Sequence, residues 1–402
     1  MRRETKITAF ASFFFLSFFF LHQVMTKPTG QRSEKMKVGF IYDGDESIPN
    51  TNNFIRSQHL LEEQYNDEIS IIVRNNVSPD QIEAAIDEMA REKCSIIFTT
   101  SYAHSIVAKE CAEKYPEIQI CQATGDNAQE EPFISNYHTF MGEIYQGRYI
   151  SGIVAGMKLK ELIENGVITT EQAKLGYVGS YPFPEVISGY TAFLLGARSI
   201  VPSTTMTVIY SYTWSSFSQE KACAEHLINN GCIIISQHSD TVGPAVACEA
   251  AFEKNIFHIG YNQNMIDIAP MTSLMSTRIN LTTYITGAVE AVLNKKSIEK
   301  TVKGHVHGND VGAGIDLNWV QILELNSIIT AKGTEEQIAK AIQNFKRGKT
   351  NVYVGDYIGV NPYDEDDIYD LRKGFKENAN SSAPSFNYVL KDVIKVDEIS
   401  LF

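Results

Sequence analysis

The sequence predicts an α/β protein of two doubly wound lobes joined by several crossing segments. Short β-like runs alternate with longer stretches of helical apolar spacing, the signature of parallel strands linked by crossover helices. That alternation occurs twice along 402 residues, more than one ordinary domain holds.

In chain order, KVGFIYD is a strand, 53–65 a helix and ISIIVRN a strand. A helix follows over 79–92, where Ile82, Ala85, Ile86 and Met89 recur at helical spacing. SIIFTTS, a helix over 103–114 and the strand IQICQAT complete the first set. A helix over 143–162 and the polar bridge ENGVITTEQAK lead to the second: KLGYVGS, 185–197, TMTVIYSYT, 218–229, CIIISQH, 243–254 and FHIGYN. A helix over 283–294 returns to the first lobe, and segments after residue 312 complete both sheets. The expected organisation is therefore 1–36 leader and linker, 37–168 with about 279–315 as lobe 1, 169–278 with part of 316–375 as lobe 2, and 376–402 as tail. Within it, 377–385 (ENANSSAPS) reads as a flexible connector.

A net charge of −13, with no basic cluster in the mature part, argues against nucleic acid as a partner. Residues 1–6 hold two Arg and one Lys against one Glu, 7–21 are almost wholly apolar, and a polar stretch follows. That order describes a secretory signal peptide, too short to span a bilayer comfortably; an uncleaved anchor is the alternative. The expectation is export to the periplasm or cell surface, with membrane contact only through this segment or a permease. Six cysteines, Cys94, Cys111, Cys121, Cys223, Cys232 and Cys248, read as small buried hydrophobes more readily than as disulfide partners. Metal spacing is absent: His305 and His307 lack a third ligand, so neither metal nor cofactor is expected.

GYVGSYPFPEVISGYTAFLLGAR (176–198) combines a buried strand, a Pro-rimmed turn and a helix opened by an acidic residue. In an open α/β sheet such a turn lies where ligands bind. Tyr181, Phe183 and Glu185 would overhang that edge. This block and YQGRYISGIVAG (145–156) resemble the basic membrane protein family, also called PnrA-like, substrate-binding proteins of ABC transporters for purine nucleosides. KVGFIYDGD, IIFTTSY, ATG, SQHSD and IGYNQNM follow in family order. Membership implies a periplasmic-binding-protein type I fold that closes on a ligand and hands it to ABC permease and ATPase subunits. The first cysteine is Cys94, so the lipid anchor common in the family is not expected.

The resemblance carries a polar base contact and a covering aromatic onto Asp43, Asn53 and Phe54. The second stacking ring falls in YSYTWSSFSQEK, on Trp214 or Phe217; the spacing does not choose between them. Where the family's nucleoside binders commonly place a ribose-gripping Asp, this chain has Asn262, and near the family's Lys stand Thr277 and Arg278. An amide lacks the charge-assisted strength of a carboxylate, which makes a nucleobase or another small polar heterocycle the second choice of ligand. Ser101, Tyr102, Ser180, Phe183 and Asp240 are further ligand candidates on strand ends and turns. Gln146 and Arg148 either touch ligand or brace the hinge. His238 reads as a satisfied strand-end histidine.

No catalytic residue is assigned. DGDE after the first strand faintly resembles the calcium loop of nucleoside hydrolases, but Ile48, Pro49 and Asn50 stand where further carboxylates would be needed. A ligand-sensing or adhesive surface protein with the same fold is the remaining alternative.

Overall fold

The computed structural model describes residues 34–397; the leader expected before them lies outside the described residues. The chain begins with β1 (Met36–Ile41), α1 (Pro49–Tyr65), β2 (Ile69–Arg74), α2 (Ile82–Arg91), β3 (Cys94–Thr99), α3 (Ser105–Lys114), β4 (Gln119–Ala123) and β5 (Tyr137–Gly142). Next come α4 (Tyr145–Glu164), β6 (Lys174–Gly179), α5 (Pro184–Arg198), β7 (Thr205–Tyr210), α6 (Phe217–Asn229), β8 (Ile234–His238), α7 (Gly243–Ala250), β9 (Phe257–Tyr261) and β10 (Ser273–Ile279). The last part holds α8 (Thr282–Leu293), α9 (Ile298–Thr301), β11 (His305–His307), β12 (Asp310–Ala313), β13 (Val320–Ile322), α10 (Thr334–Lys346), β14 (Ile358–Asn361), β15 (Asp364–Asp370), β16 (Val389–Leu390) and β17 (Ile394–Asp397).

Two seven-stranded sheets result, ordered β11-β12-β5-β4-β3-β1-β2 and β13-β10-β9-β8-β6-β7-β17. All neighbours run parallel except β11 and β13 at the far edges. Both sheets therefore repeat one doubly wound order, and each reverses direction at one place, between β1 and β3 and between β6 and β8. Crevices open at such reversals, outside the carboxyl ends of the strands. The chain passes between sheets after β5, after β10 and after β12, so the halves are linked by more than one segment.

Alternation along β1 shows how the layers form. Val38 and Phe40 join Phe54 and Leu61 of α1 on one face, while Ile41 packs with Ile82, Ile86 and Met89 of α2 on the other. On the second sheet Val178 and Ile235 face Cys223 and Leu227 of α6. Helices α4 and α5 approach so closely that a Cβ on Gly152 would lie 2.0 Å from the Phe193 carbonyl oxygen. One on Gly196 would lie equally close, at 2.0 Å, to that of Tyr149. The two sequence blocks that carry the family resemblance thus pack on each other, and their glycines are required by that contact.

Several elements differ from expectation. Helix α1 starts at Pro49, not residue 53, because proline suits the first helical turn. Strands β5 and β10 were not foreseen: their Thr139, His138, Ser273 and Ser276 are buried polar groups in place of an apolar run. A small three-stranded antiparallel sheet, β15-β14-β16, and β17 were also missed. The segment 377–385, expected as a flexible connector, is tied down: Glu377 accepts from Ser188 Oγ at 2.9 Å and from the backbone N–H groups of Ser385 and Phe386. All six cysteines are buried and unpaired, as their small-hydrophobe reading expects.

Candidate functional site

The reversals of the two sheets face one cavity, the place where small-molecule sites form in open α/β sheets. From the first half come Asp43 after β1, Asn50, Asn53 and Phe54 on α1, Thr100, Ser101 and Tyr102 after β3, and Thr124 after β4. The second half supplies Glu185 at the start of α5, Trp214, and then His238 and Asp240 at and just past the end of β8 and Tyr261 and Asn262 at and just past the end of β9. Ile279 and Leu281, at the end of β10, close the hinge side.

Backbone geometry at the rim is unusual. Asn262 has φ 63° and Thr124 φ 57°. Asn tolerates the left-handed region, whereas a β-branched residue there is a genuine outlier, and strain of that kind gathers at ligand sites. The Asn262 N–H donates to the Thr277 carbonyl at 2.8 Å, and its amide reaches Asn50 Oδ1 at 3.4 Å and Asp240 Oδ1 at 3.5 Å. The halves also meet through Asn53, whose amide donates to the Ile279 carbonyl at 2.8 Å, and through the Tyr102 and Phe183 rings, 6.0 Å apart.

The ionisable groups of the second half sit deep. Asp240 keeps part of its surface open to the cavity, yet burial first, and then the charges of Glu220, Asp43 and Glu185, push its carboxyl well above the usual range. Its own hydrogen bond from Asn262 opposes that shift only weakly. Burial and the nearby Arg148 guanidinium hold the buried His238 below its ordinary pKa, against the pull of Glu185, whose Oε1 lies 3.1 Å from Nε2. The Arg148 guanidinium is fully buried, has no hydrogen-bond partner among the described residues and lies 3.9 Å over the Tyr261 ring.

Among the sequence candidates, Asp43, Asn53, Phe54, Ser101, Tyr102, Trp214, Asp240 and Asn262 are gathered in this cavity. Phe54 is 1% exposed and belongs equally to the core. Between the two rings the spacing left open, Trp214 lines the cavity, while Phe217, 47% exposed, begins α6 outside it. Phe183 is stacked on Tyr181, with ring centroids 5.3 Å apart, beside the cavity.

The rest lie elsewhere. Ser180 is buried, its Oγ without a hydrogen-bond partner among the described residues. Gln146 accepts from the Ile315 N–H at 2.9 Å and donates to Glu143, bracing two inter-sheet crossings. Arg278 donates through Nε and Nη2 to Gln321 and lines an outer mouth with Arg56. His305 pairs with Glu143 at 2.8 Å instead of forming a metal set with His307; among the described residues no metal-binding cluster of His, Cys, Asp and Glu occurs. Thr124, Asn50 and Tyr261 were not singled out from sequence. The position of ATG at a strand end was the signal available for Thr124.

Residues 56–350 match the Bmp family, described as ABC transporter substrate-binding protein, PnrA-like. A purine-binding protein of Brucella abortus is 31% identical over 263 residues, spanning 65% of this chain and 70% of the relative. A putative ABC transporter glucose-binding protein of Haloferax volcanii is 31% identical over 210 residues, 52% of this chain and 49% of its own length. An ABC transporter solute-binding protein of Aeropyrum pernix superposes with a TM-score of 0.66 at 15% identity, covering 82% of this chain and 95% of that one, a likeness of fold.

Proposed function

Because this chain belongs to the PnrA-like Bmp family of ABC transporter substrate-binding proteins, we propose that its cleft captures a purine nucleoside and presents it to an ABC importer. The observation that carries this reading is the joint lining of one cavity by Phe54 and Trp214, from opposite halves, with amides and carboxylates around them. A planar base bound there would stack on these rings, and stacking is worth on the order of 1–3 kcal/mol per base. Asp43, Asn53, Asp240 and Asn262 provide acceptors and donors for base edge and sugar hydroxyls. The purine-binding relative at 31% identity supports the same class. Asn262 in place of a carboxylate favours the free base as the second reading.

Binding without chemistry needs only a higher affinity for the closed arrangement of the halves. Nothing in the cavity is assigned to bond breaking, and incubation with inosine should release no free base. The family works outside the cytoplasm, and among the described residues no helix is long and apolar enough to cross a membrane. Export by the N-terminal segment, and delivery to permease and ATPase subunits, complete the proposal. A ligand-sensing surface role would instead leave Met1 in place, which N-terminal sequencing of the mature protein distinguishes.

A thermal-unfolding screen of nucleosides, bases and sugars tests the ligand class. A nucleoside at 100 times its dissociation constant should add about 2.7 kcal/mol. Stabilisation by glucose alone, with every purine silent, would overturn the reading.

A further inference from the structure

Residues 377–385 lie beyond the span that matches the family, and they hold both halves along one side of the cleft. On the first sheet, Ser382 donates through its N–H and Oγ to the buried Asp310 of β12, and Gln129 donates to the Asn380 carbonyl at 3.2 Å. On the second, Glu377 is bound by Ser188 of α5 at 2.9 Å. The Asn378 amide ties the loop to itself through the carbonyls of Ser381, Ser382 and Ala383. Nearby, the Tyr363 hydroxyl donates to the Pro182 carbonyl at 2.7 Å, just ahead of α5.

Between this strap and the cleft is a second cavity, which shares Tyr102, Thr124, Glu185 and Trp214 with the first. Its remaining walls are mainly apolar: Met141, Phe183 and Pro184, with Ala383 and Pro384 from the strap. The charged residues on it are Asp126 and Glu185, both carboxylates, with no lysine or arginine.

We propose that this cavity is a second subsite of the cleft, which takes an uncharged apolar substituent of the bound ligand and has the strap as its outer wall. The inference rests on the ligand reading given above. The four shared residues set the two cavities side by side, so a substituent on a ligand in the first is adjacent to the second. Apolar walls reward burial of apolar surface, whereas the two carboxylates repel phosphate or carboxylate groups. A compact base or nucleoside would leave the subsite unused, so occupancy by a larger ligand separates this property from binding in the cleft itself.

Calorimetric titration of the purified protein with matched pairs tests it: adenine against 6-benzylaminopurine, and adenosine against the riboside of 6-benzylaminopurine. In each pair the benzylated compound should bind roughly tenfold tighter or more. In Ala383→Trp, which fills the subsite, that ratio should fall to about one. Pro384→Glu, which sets another carboxylate in the wall, should lower it as well, and thermal unfolding checks that both variants fold. A parent that binds while its benzylated partner binds no tighter overturns the subsite and leaves the ligand reading standing. A preference unchanged in both folded variants also overturns it. Failure of every purine to bind removes the ligand reading, and the subsite falls with it.

Discussion

The two halves of the cleft share a strand order but present their rings in opposite ways. Phe54 is 1% exposed and packs near Tyr42, ring centroids 6.4 Å apart, in the core between α1 and the first sheet. Trp214 is half-buried on a loop after β7, among Tyr181 and Phe183 at 5.5 and 6.2 Å. One wall is thus an edge of the core and the other an aromatic loop laid over it. The ionisable groups divide too: Asp43 is exposed, whereas His238 and Glu220 are buried in the second half and Asp240 is half-buried at its surface. Identical topology sets two walls around one cavity; it leaves open whether a wall is rigid or adjustable, or whether it titrates.

Substitution at the two rings should break the symmetry most visibly. Phe54→Ala should cost about 3–5 kcal/mol of folding stability, since it empties a core position, and should also weaken purine binding; denaturant unfolding alongside calorimetry measures both. Trp214→Ala should weaken binding by about 1–3 kcal/mol with a much smaller loss of stability. Equal stability costs in the two variants would erase the distinction drawn here.

Asp240 sharpens the electrostatic half of the comparison. Its carboxyl is raised, so at pH values between the ordinary carboxylate range and the raised value the folded protein binds the proton that the unfolded chain has released. Stability from this group is therefore fully present below about pH 4 and is lost as pH rises through the raised value. Asp240→Asn should flatten that decline, making the variant more stable than the parent at neutral pH and no more stable in acid, as thermal unfolding across pH will show. The smallest effect belongs to Phe217→Ala. With its ring outside the cavity, affinity should change by less than about 0.5 kcal/mol, and a loss matching that of Trp214→Ala would reassign the second ring.

Strands β1 to β4 and β6 to β9 were legible because their apolar or β-branched runs stand between turn residues. Strands β5 and β10 lack such runs, and the buried polar groups of β5 find their partners far away. Thr139 donates to Asp310 at 2.8 Å, and the His138 ring lies between Glu299 at 2.5 Å and Gln119 at 2.8 Å. No local pattern announces partners more than 150 positions distant, such as Asp310 and Glu299. The same reason explains Gln146, whose hinge-bracing contact is with Ile315.

By itself the sequence determined the repeated β–α alternation, the strand-end positions of Asp43, Ser101 and Asp240, and the family likeness, since each is written in a short contiguous stretch. Tertiary structure alone chose Trp214 over Phe217, drew Phe54 into the core, fixed Asn262 at φ 63° beside Asp240, and bound 377–385 across the two halves. Those outcomes depend on which distant groups share a buried space, and burial and hydrogen-bond partners there are properties of the assembled chain.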